Sequence, residues 1–152
     1  VGANMGTACE GALKFGETIS IPSCAYEIEE YIHGPNIQMT PTYSVFLIDG
    51  GECTKRIHQI YEGTQIVTSG FYLITNCADY QDEPNTFYVE CDLPEEITPL
   101  CYLPVFQMTA FRITEDLSRW LKHPLQRKME KSVSSKSENY ENSPFSEDTP
   151  GR

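Results

Sequence analysis

Glu10, Lys14 and Glu17, with His33 in front of Gly34-Pro35, are residues whose types and spacing could do chemistry. Wound into a helix at about 100° per residue, the first three fall within roughly 60° of one another. Ala8, Ala12, Phe15 and Ile19 fall on the opposite face. One stripe is apolar and seeks a core. The other carries two carboxylates and an ammonium. Two carboxylates, a lysine and a histidine suffice for proton-transfer chemistry. The same residues also make an ordinary solvated surface, since a Glu10–Lys14 pair at i,i+4 adds only about 0.2–0.5 kcal/mol to a helix. Spacing alone leaves both readings open.

The elements that must position these residues alternate in type. Asn4 or Thr7 can cap a first helix that runs to about Thr18, because short polar side chains satisfy orphan amides. Ile21-Pro22-Ser23 ends it. Tyr26 to His33 reads as a short helix with an acidic face. Tyr43 to Ile48 is a buried strand closed by Asp49-Gly50-Gly51. A helix over 52–69 turns Ile57, Ile60 and Tyr61 inward, and Gly70 stops it. Phe71–Thr75 and Thr86–Cys91 are further strands around an acidic loop. A long helix runs from Thr98 to about Leu121, with Leu103, Phe106, Ala110, Ile113, Leu117 and Trp120 at helical spacing, a core pattern rather than a cofactor box. Pro99 suits its first turn. Pro104 should kink it or delay its start. Short buried strands alternating with helices predict an α/β fold, a mostly parallel sheet with helices on both faces.

Composition bounds the function. A chain of 152 residues suits one domain with one core. Its net charge is −11 and its sequence pI about 4.6. That disfavours nucleic acid and anionic membranes as partners, which need clustered Lys and Arg. An anionic ligand must be held by a local site. Cysteines 9, 24, 53, 77, 91 and 101 are scattered, without CxxC or CxxH, and read as free thiols of a cytoplasmic protein. The sequence carries no signal-peptide pattern and no 18-residue apolar run. No metal site and no cofactor are expected. From Ser132 to Arg152 the chain is polar, rich in Ser, Glu and Asn, and poor in groups that could offset ordering entropy.

Ala8-Cys9-Glu10-Gly11-Ala12-Leu13-Lys14 with Glu17, then Glu30-Tyr-Ile-His33-Gly34-Pro35, and later Lys131-Ser132-Val133, carry a resemblance. The chain resembles, from Val1 to about Val133, the second sugar-isomerase (SIS) half of glutamine–fructose-6-phosphate aminotransferase and its two-SIS relatives. Those include phosphosugar isomerases and deglycases. The resemblance implies a three-layer α/β/α sandwich of flavodoxin-like type, with an SIS domain over 1–131. A tail or active-site arm follows over 132–152. Val1-Gly2-Ala3-Asn4 reads as the end of a strand entering a glycine turn. A C-terminal fragment lacking its own first strand is therefore expected.

The same resemblance implies roles. Glu17 matches the glutamate that moves a proton between C1 and C2 of an open-chain sugar. His33 matches the histidine that opens the ring, often delivered from a neighbouring subunit. A homodimer or larger assembly sharing His33 is implied. Lys131 matches the lysine that forms a Schiff base with the ketose carbonyl, which requires a partly unprotonated amine. Lys14 matches a lysine near the substrate oxygens, and Glu10 a structural or positioning group beside it. His58 and His123 read as surface residues. Two departures matter. The Gly2–Gly6 turn is shorter than the aminotransferase's. The family's Ser/Thr-rich phosphate loop belongs to the first SIS half, and no comparable cradle precedes a helix here. The expected function is a phosphosugar-binding domain of an aldose–ketose isomerase, deglycase or aminotransferase, acting on a hexose 6-phosphate or amino-sugar phosphate. The alternatives are a non-catalytic phosphosugar sensor and a truncated fragment without activity of its own.

Overall fold

The computed structural model describes residues 2–51, 54–118 and 124–133. Contacts divide the chain into two compact units, Val1–Leu117 and Ser118–Arg152.

Among the described residues three strands build the sheet of the first unit: β1 (Val45–Asp49), β2 (Phe71–Thr75) and β3 (Thr86–Tyr88). They lie in the order β1-β2-β3, and both pairs are parallel. Val45 faces Phe71 across the first pair, and Leu73 faces Thr86 across the second. Parallel strands covered on both sides read as near-continuous apolar runs, as Val45-Phe-Leu-Ile48 and Phe71-Tyr-Leu-Ile74 do.

Period-two alternation sorts these side chains between two cores. Val45, Leu47, Phe71 and Leu73 point to one face. There they meet Ile28 and Ile32 of α2 (Ile28–His33), Ile57, Ile60 and Tyr61 of α3 (Thr54–Gln65), and Tyr80. Phe46, Ile48, Ile74 and Phe87 point to the other. There they meet Tyr102 and Phe106 of α4 (Thr98–Asp116) and Phe15, just beyond α1 (Asn4–Lys14). The first unit is the expected sandwich of a parallel sheet between two helical layers.

The first helix departs from its expected geometry. It is α-helical only to Lys14, and Phe15–Ile19 continues as a π turn. Ser20, at φ 60°, closes it in the left-handed region. The buried line runs through Asn4, Thr7, Gly11 and Ile19, not through Ala8 and Ala12, which are half-buried. A π turn bonds i to i+5 and advances each residue through a smaller angle. That smaller advance turns Ile19, which straight α-geometry would carry off the line, back into the core. Asn4 is no cap. Ala3 holds that position, and the Asn4 amide is buried against Thr98, its Nδ2 donating to Oγ1 at 2.8 Å.

Other boundaries shift for local reasons. The Glu27 carboxylate accepts from the amides of Glu29 and Glu30, so α2 begins at Ile28 instead of Tyr26. Tyr43 lies exposed before β1. The last turn of α3 closes at Gln65, and Thr68 Oγ1 then donates to the Tyr43 carbonyl at 2.7 Å, pinning the entry to β2. β3 is shorter than expected, although the Val89 amide still donates to the Thr75 carbonyl. Pro104 neither delays nor ends α4, which starts at Thr98. The helix stops at Asp116, where Ser118 adopts φ 52°, and Leu117 is exposed. Trp120 and His123 lie outside the described residues.

In the second unit Pro124–Ser132 forms a helix, α5, which the polar composition did not announce. Proline at its first position has no amide to leave unsatisfied. Exposed Leu125, Met129 and Val133 recur along one side at four-residue spacing.

Candidate functional site

The helical spacing does bring Glu10, Lys14 and Glu17 together. Lys14 Nζ lies 3.2 Å from Glu10 Oε1 and 3.0 Å from Glu17 Oε2. The hydrogen bond that Lys14 donates to Glu17, then the one it donates to Glu10, then the charges of the two carboxylates hold the Lys14 ammonium above its ordinary pKa of 10.5. Such an amine keeps its proton and serves as a positive charge, not as a nucleophile. All three side chains are substantially exposed, so the pairs add little to stability.

Glu17 also faces a cleft. An open hollow of about 620 Å³ lies between Cys9, Leu13, Gly16 and Glu17 on one side and Ile21, Pro22 and Ala25 on the other. Its walls are largely apolar, and Glu17 supplies their carboxylate. The π turn widens the helix at this point. Lys14 and Glu10 stand beside the hollow and outside its lining.

His33 is elsewhere. It ends α2, exposed, on the helical layer across the sheet from α1. Glu29, one turn earlier on α2, is a carboxylate whose electrostatics it influences. The hydrogen bond and charge of Arg56, with a smaller contribution from His33, hold that carboxyl below its ordinary value against a modest burial penalty. Arg56 of α3 forks onto Glu29 at 2.7 and 2.9 Å. Among the described residues no hydrogen bond or ion pair joins His33 to Glu17. Lys131 falls on α5 in the second unit, and its side chain lies outside the described part of the structure. His58 is exposed and lies 3.7 Å from Glu62.

Sequence reasoning missed a polar cluster at the carboxyl edge of the sheet. Asp49 ends β1 and is only 1% exposed. Its Oδ1 accepts from the Gly51 amide at 2.9 Å, and its Oδ2 from Thr75 Oγ1 at 3.1 Å. The Tyr102 hydroxyl donates to the Asp49 carbonyl at 3.0 Å. Burial, and then the Asp49 charge, push the Tyr102 phenol far above its ordinary range, so it remains a donor. Asn4 and Thr98 complete the cluster. Gly50 is required here, since a Cβ on it would stand 2.5 Å from Asn4 Nδ2. The signal was available: an Asp-Gly-Gly directly after a buried strand, and Thr75-Asn76 after the next. Open α/β sheets bind ligands outside the carboxyl ends of their strands.

Among the described residues no group of His, Cys, Asp and Glu is arranged to hold a metal ion, and no helix is long and apolar enough to cross a membrane. The sequence matches no protein-family model and no curated protein. Its structure is similar to that of a provisionally assigned phosphosugar isomerase of Clostridium difficile 630, with a TM-score of 0.76 and 20% identity over 89% of this chain and 38% of that one. It is also similar to a provisionally assigned sugar-binding protein of Salmonella typhimurium LT2, with a TM-score of 0.62 and 23% identity over 70% of this chain and 32% of that one. At these identities the likeness is one of fold. The chain spans well under half the length of either protein.

Proposed function

We propose that this chain is a phosphosugar-binding SIS domain, the second half of a two-SIS isomerase, deglycase or aminotransferase acting on a hexose 6-phosphate or amino-sugar phosphate. One observation carries the reading. Glu17 lines an open cleft of about 620 Å³, within the general range of small-molecule sites, with the Lys14 ammonium 3.0 Å from its carboxylate. The printed descriptions of the two structural neighbours, a phosphosugar isomerase and a sugar-binding protein, support the ligand class. Coverage of 38% and 32% of those chains supports a half-site.

In this reading Glu17 is the base that carries a proton between C1 and C2. A carboxylate suits the task because its two oxygens can serve adjacent carbons. Lys14, kept protonated, steadies negative charge developing on the sugar oxygens, and Glu10 holds Lys14 in place. Lys131 forms the imine with the ketose carbonyl. Proton transfer through the imine needs no metal or cofactor. His33 opens the ring from a second subunit, a role favoured by its position across the sheet from its own Glu17. The assembly is then a dimer or larger, and phosphorylated sugars place it in the cytoplasm.

The test uses the intact protein with fructose 6-phosphate and glucosamine 6-phosphate in deuterated water. NMR follows deuterium entering C1 and C2, and calorimetry follows binding. Glu17→Gln removes the base but keeps the shape. It should slow exchange by about 10²–10⁴ while leaving affinity within a few-fold. Lys131→Arg should abolish borohydride trapping of the substrate. Exchange at full rate in Glu17→Gln refutes the assignment. Failure to bind either sugar refutes the ligand class. Binding without any exchange in the wild type selects the non-catalytic sensor, which the existing engagement of Glu17 by Lys14 favours as the second reading.

A further inference from the structure

The six cysteines follow no regular spacing, yet the fold brings two of them together. Cys91 lies just past β3 and Cys101 in the second turn of α4, with their Sγ atoms 2.8 Å apart. Both are half-buried free thiols. A disulfide bond measures about 2.05 Å, so bonding requires a closure of only about 0.8 Å.

Each cysteine is held by an independent anchor. The Asn76 side chain donates to the Cys91 carbonyl at 3.1 Å. Cys101 precedes Tyr102, which is fully buried and bonded to the Asp49 carbonyl. The sulfurs therefore face each other because of the fold, not through a flexible encounter. Cys91 and Cys101 bracket the turn that carries Glu95 and Thr98. Thr98 Oγ1 donates to the Glu95 carbonyl at 2.7 Å and accepts from Asn4. This turn lies beside Gly50, within the polar cluster at the carboxyl edge of the sheet.

We propose that Cys91 and Cys101 are a thiol-modification site, a pair that forms a reversible disulfide with a small disulfide oxidant and staples the 92–100 turn over the carboxyl edge of the sheet. The chemistry balances with oxidised glutathione as the oxidant. One ionised protein thiol attacks a glutathione sulfur, and one glutathione thiolate leaves. The second protein thiol, losing its proton, attacks the protein sulfur of the mixed disulfide and expels the second glutathione. Two electrons and two protons pass from the protein thiols to yield two molecules of glutathione. The hydrogen bond to Cys101 and burial raise the Cys91 pKa, which protects the reduced pair from indiscriminate oxidation at neutral pH. A cytoplasmic protein would use such a pair transiently, as a sensor, and not as a structural bridge.

The intact chain is equilibrated with oxidised or reduced glutathione, the free thiols are blocked, and the protein is cleaved after glutamate without reduction. Glu90, Glu95, Glu96 and Glu115 place the two cysteines in separate peptides, so a bond appears as a linked pair in mass spectrometry. The expected result is a Cys91–Cys101 link that dithiothreitol removes. Oxidation should also raise Tm by about 5–10 °C, from the constraint on the unfolded chain. Cys91→Ser and Cys101→Ser should each abolish the link and the Tm shift. The remaining member of the pair should then hold one glutathione. Cys77→Ser should change neither readout. Glutathione on Cys91 or Cys101 of the wild type without a link, a link through Cys77, or no reaction at either residue overturns the proposal. The wild-type digest decides the matter even where a serine variant fails to fold.

Discussion

Gly11→Ala should destabilise this protein although it replaces a poor helix former with the best one. The motif Glu10-Gly11-Ala12 sits where α1 crosses α4. A Cβ on Gly11 would stand 2.6 Å from Cδ1, 2.8 Å from Cγ and 2.9 Å from Cε1 of Phe106. Carbon atoms pack best at about 3.5–4.0 Å. The ring cannot swing aside: Phe106 is 4% exposed, and its centroid lies 5.9 Å from that of Phe15 and 5.6 Å from that of Phe46. Helix propensity alone would favour alanine by about 1 kcal/mol. Overpacking costs about 1–3 kcal/mol, and three ring atoms inside 3.0 Å put this site at the upper end. The net loss is then about 1–2 kcal/mol. With a urea m-value of about 2 kcal/mol/M, the midpoint should fall by roughly 0.5–1 M. Circular dichroism would follow the transition in wild type, Gly11→Ala, Phe106→Leu and the double variant. Leucine removes the ring, so the double variant should recover most of the glycine penalty, a coupling of about 1–2 kcal/mol. A Gly11→Ala protein that unfolds at higher urea than wild type, or a cycle with no coupling, would refute the packing argument.

Other outcomes follow from polar contacts. Asn4→Ala leaves buried Thr98 without its amide donor and should cost about 1–3 kcal/mol in the same urea assay; a variant matching wild type would mean that the buried amide contributes nothing. The Glu29–Arg56 bridge ties α2 to α3 and lowers the folded-state pKa of Glu29 below its ordinary 4.5. Its stabilisation is present above the ordinary value and disappears as pH falls through the lowered one. The stability gap between wild type and Glu29→Gln should therefore close on acidification below about pH 4, and a gap unchanged down to pH 2 would sever that link.

What the sequence made legible was periodic and local. The runs Val45–Ile48 and Phe71–Ile74 could only be buried strands, and their alternation sorts residues cleanly between two cores. The i,i+3 and i,i+4 spacing of Glu10, Lys14 and Glu17 put the three charges together. What it hid was non-local. Asn4 and Thr7 read as helix caps, and nothing nearby in the sequence marks Gly11 as buried, until Thr98 and Phe106, far along the chain, supply the contacts. The π turn breaks the period on which the face of α1 was judged. Helix α5 escaped because its charged composition resembles a solvated tail. The cysteine pair escaped because ten residues and a change of element separate its members, so no short spacing marks it. Glu17 was legible as a candidate base, whereas its cleft depends on how Ile21–Ala25 folds back, which no spacing encodes.

The two cores differ in when they can be made during synthesis. The face shared by α2 and α3 draws on residues between Ile28 and Tyr80, a stretch that can close on itself soon after it leaves the ribosome. The face beneath α1 cannot. Its hydrogen bond from Asn4 to Thr98 spans 94 positions, and Gly11 has no ring to pack against until Phe106 has emerged. At roughly 5–20 residues per second, α1 waits several seconds, with the Glu17 segment undocked, while the rest of the sheet assembles. Contacts this distant in sequence are also the slow ones to find, because the chain between them must first be ordered. Helix α1 is therefore translated before the strands it packs on but docks only after them, and its Phe15 and Ile19 wait longer for their partners than the residues of the other core.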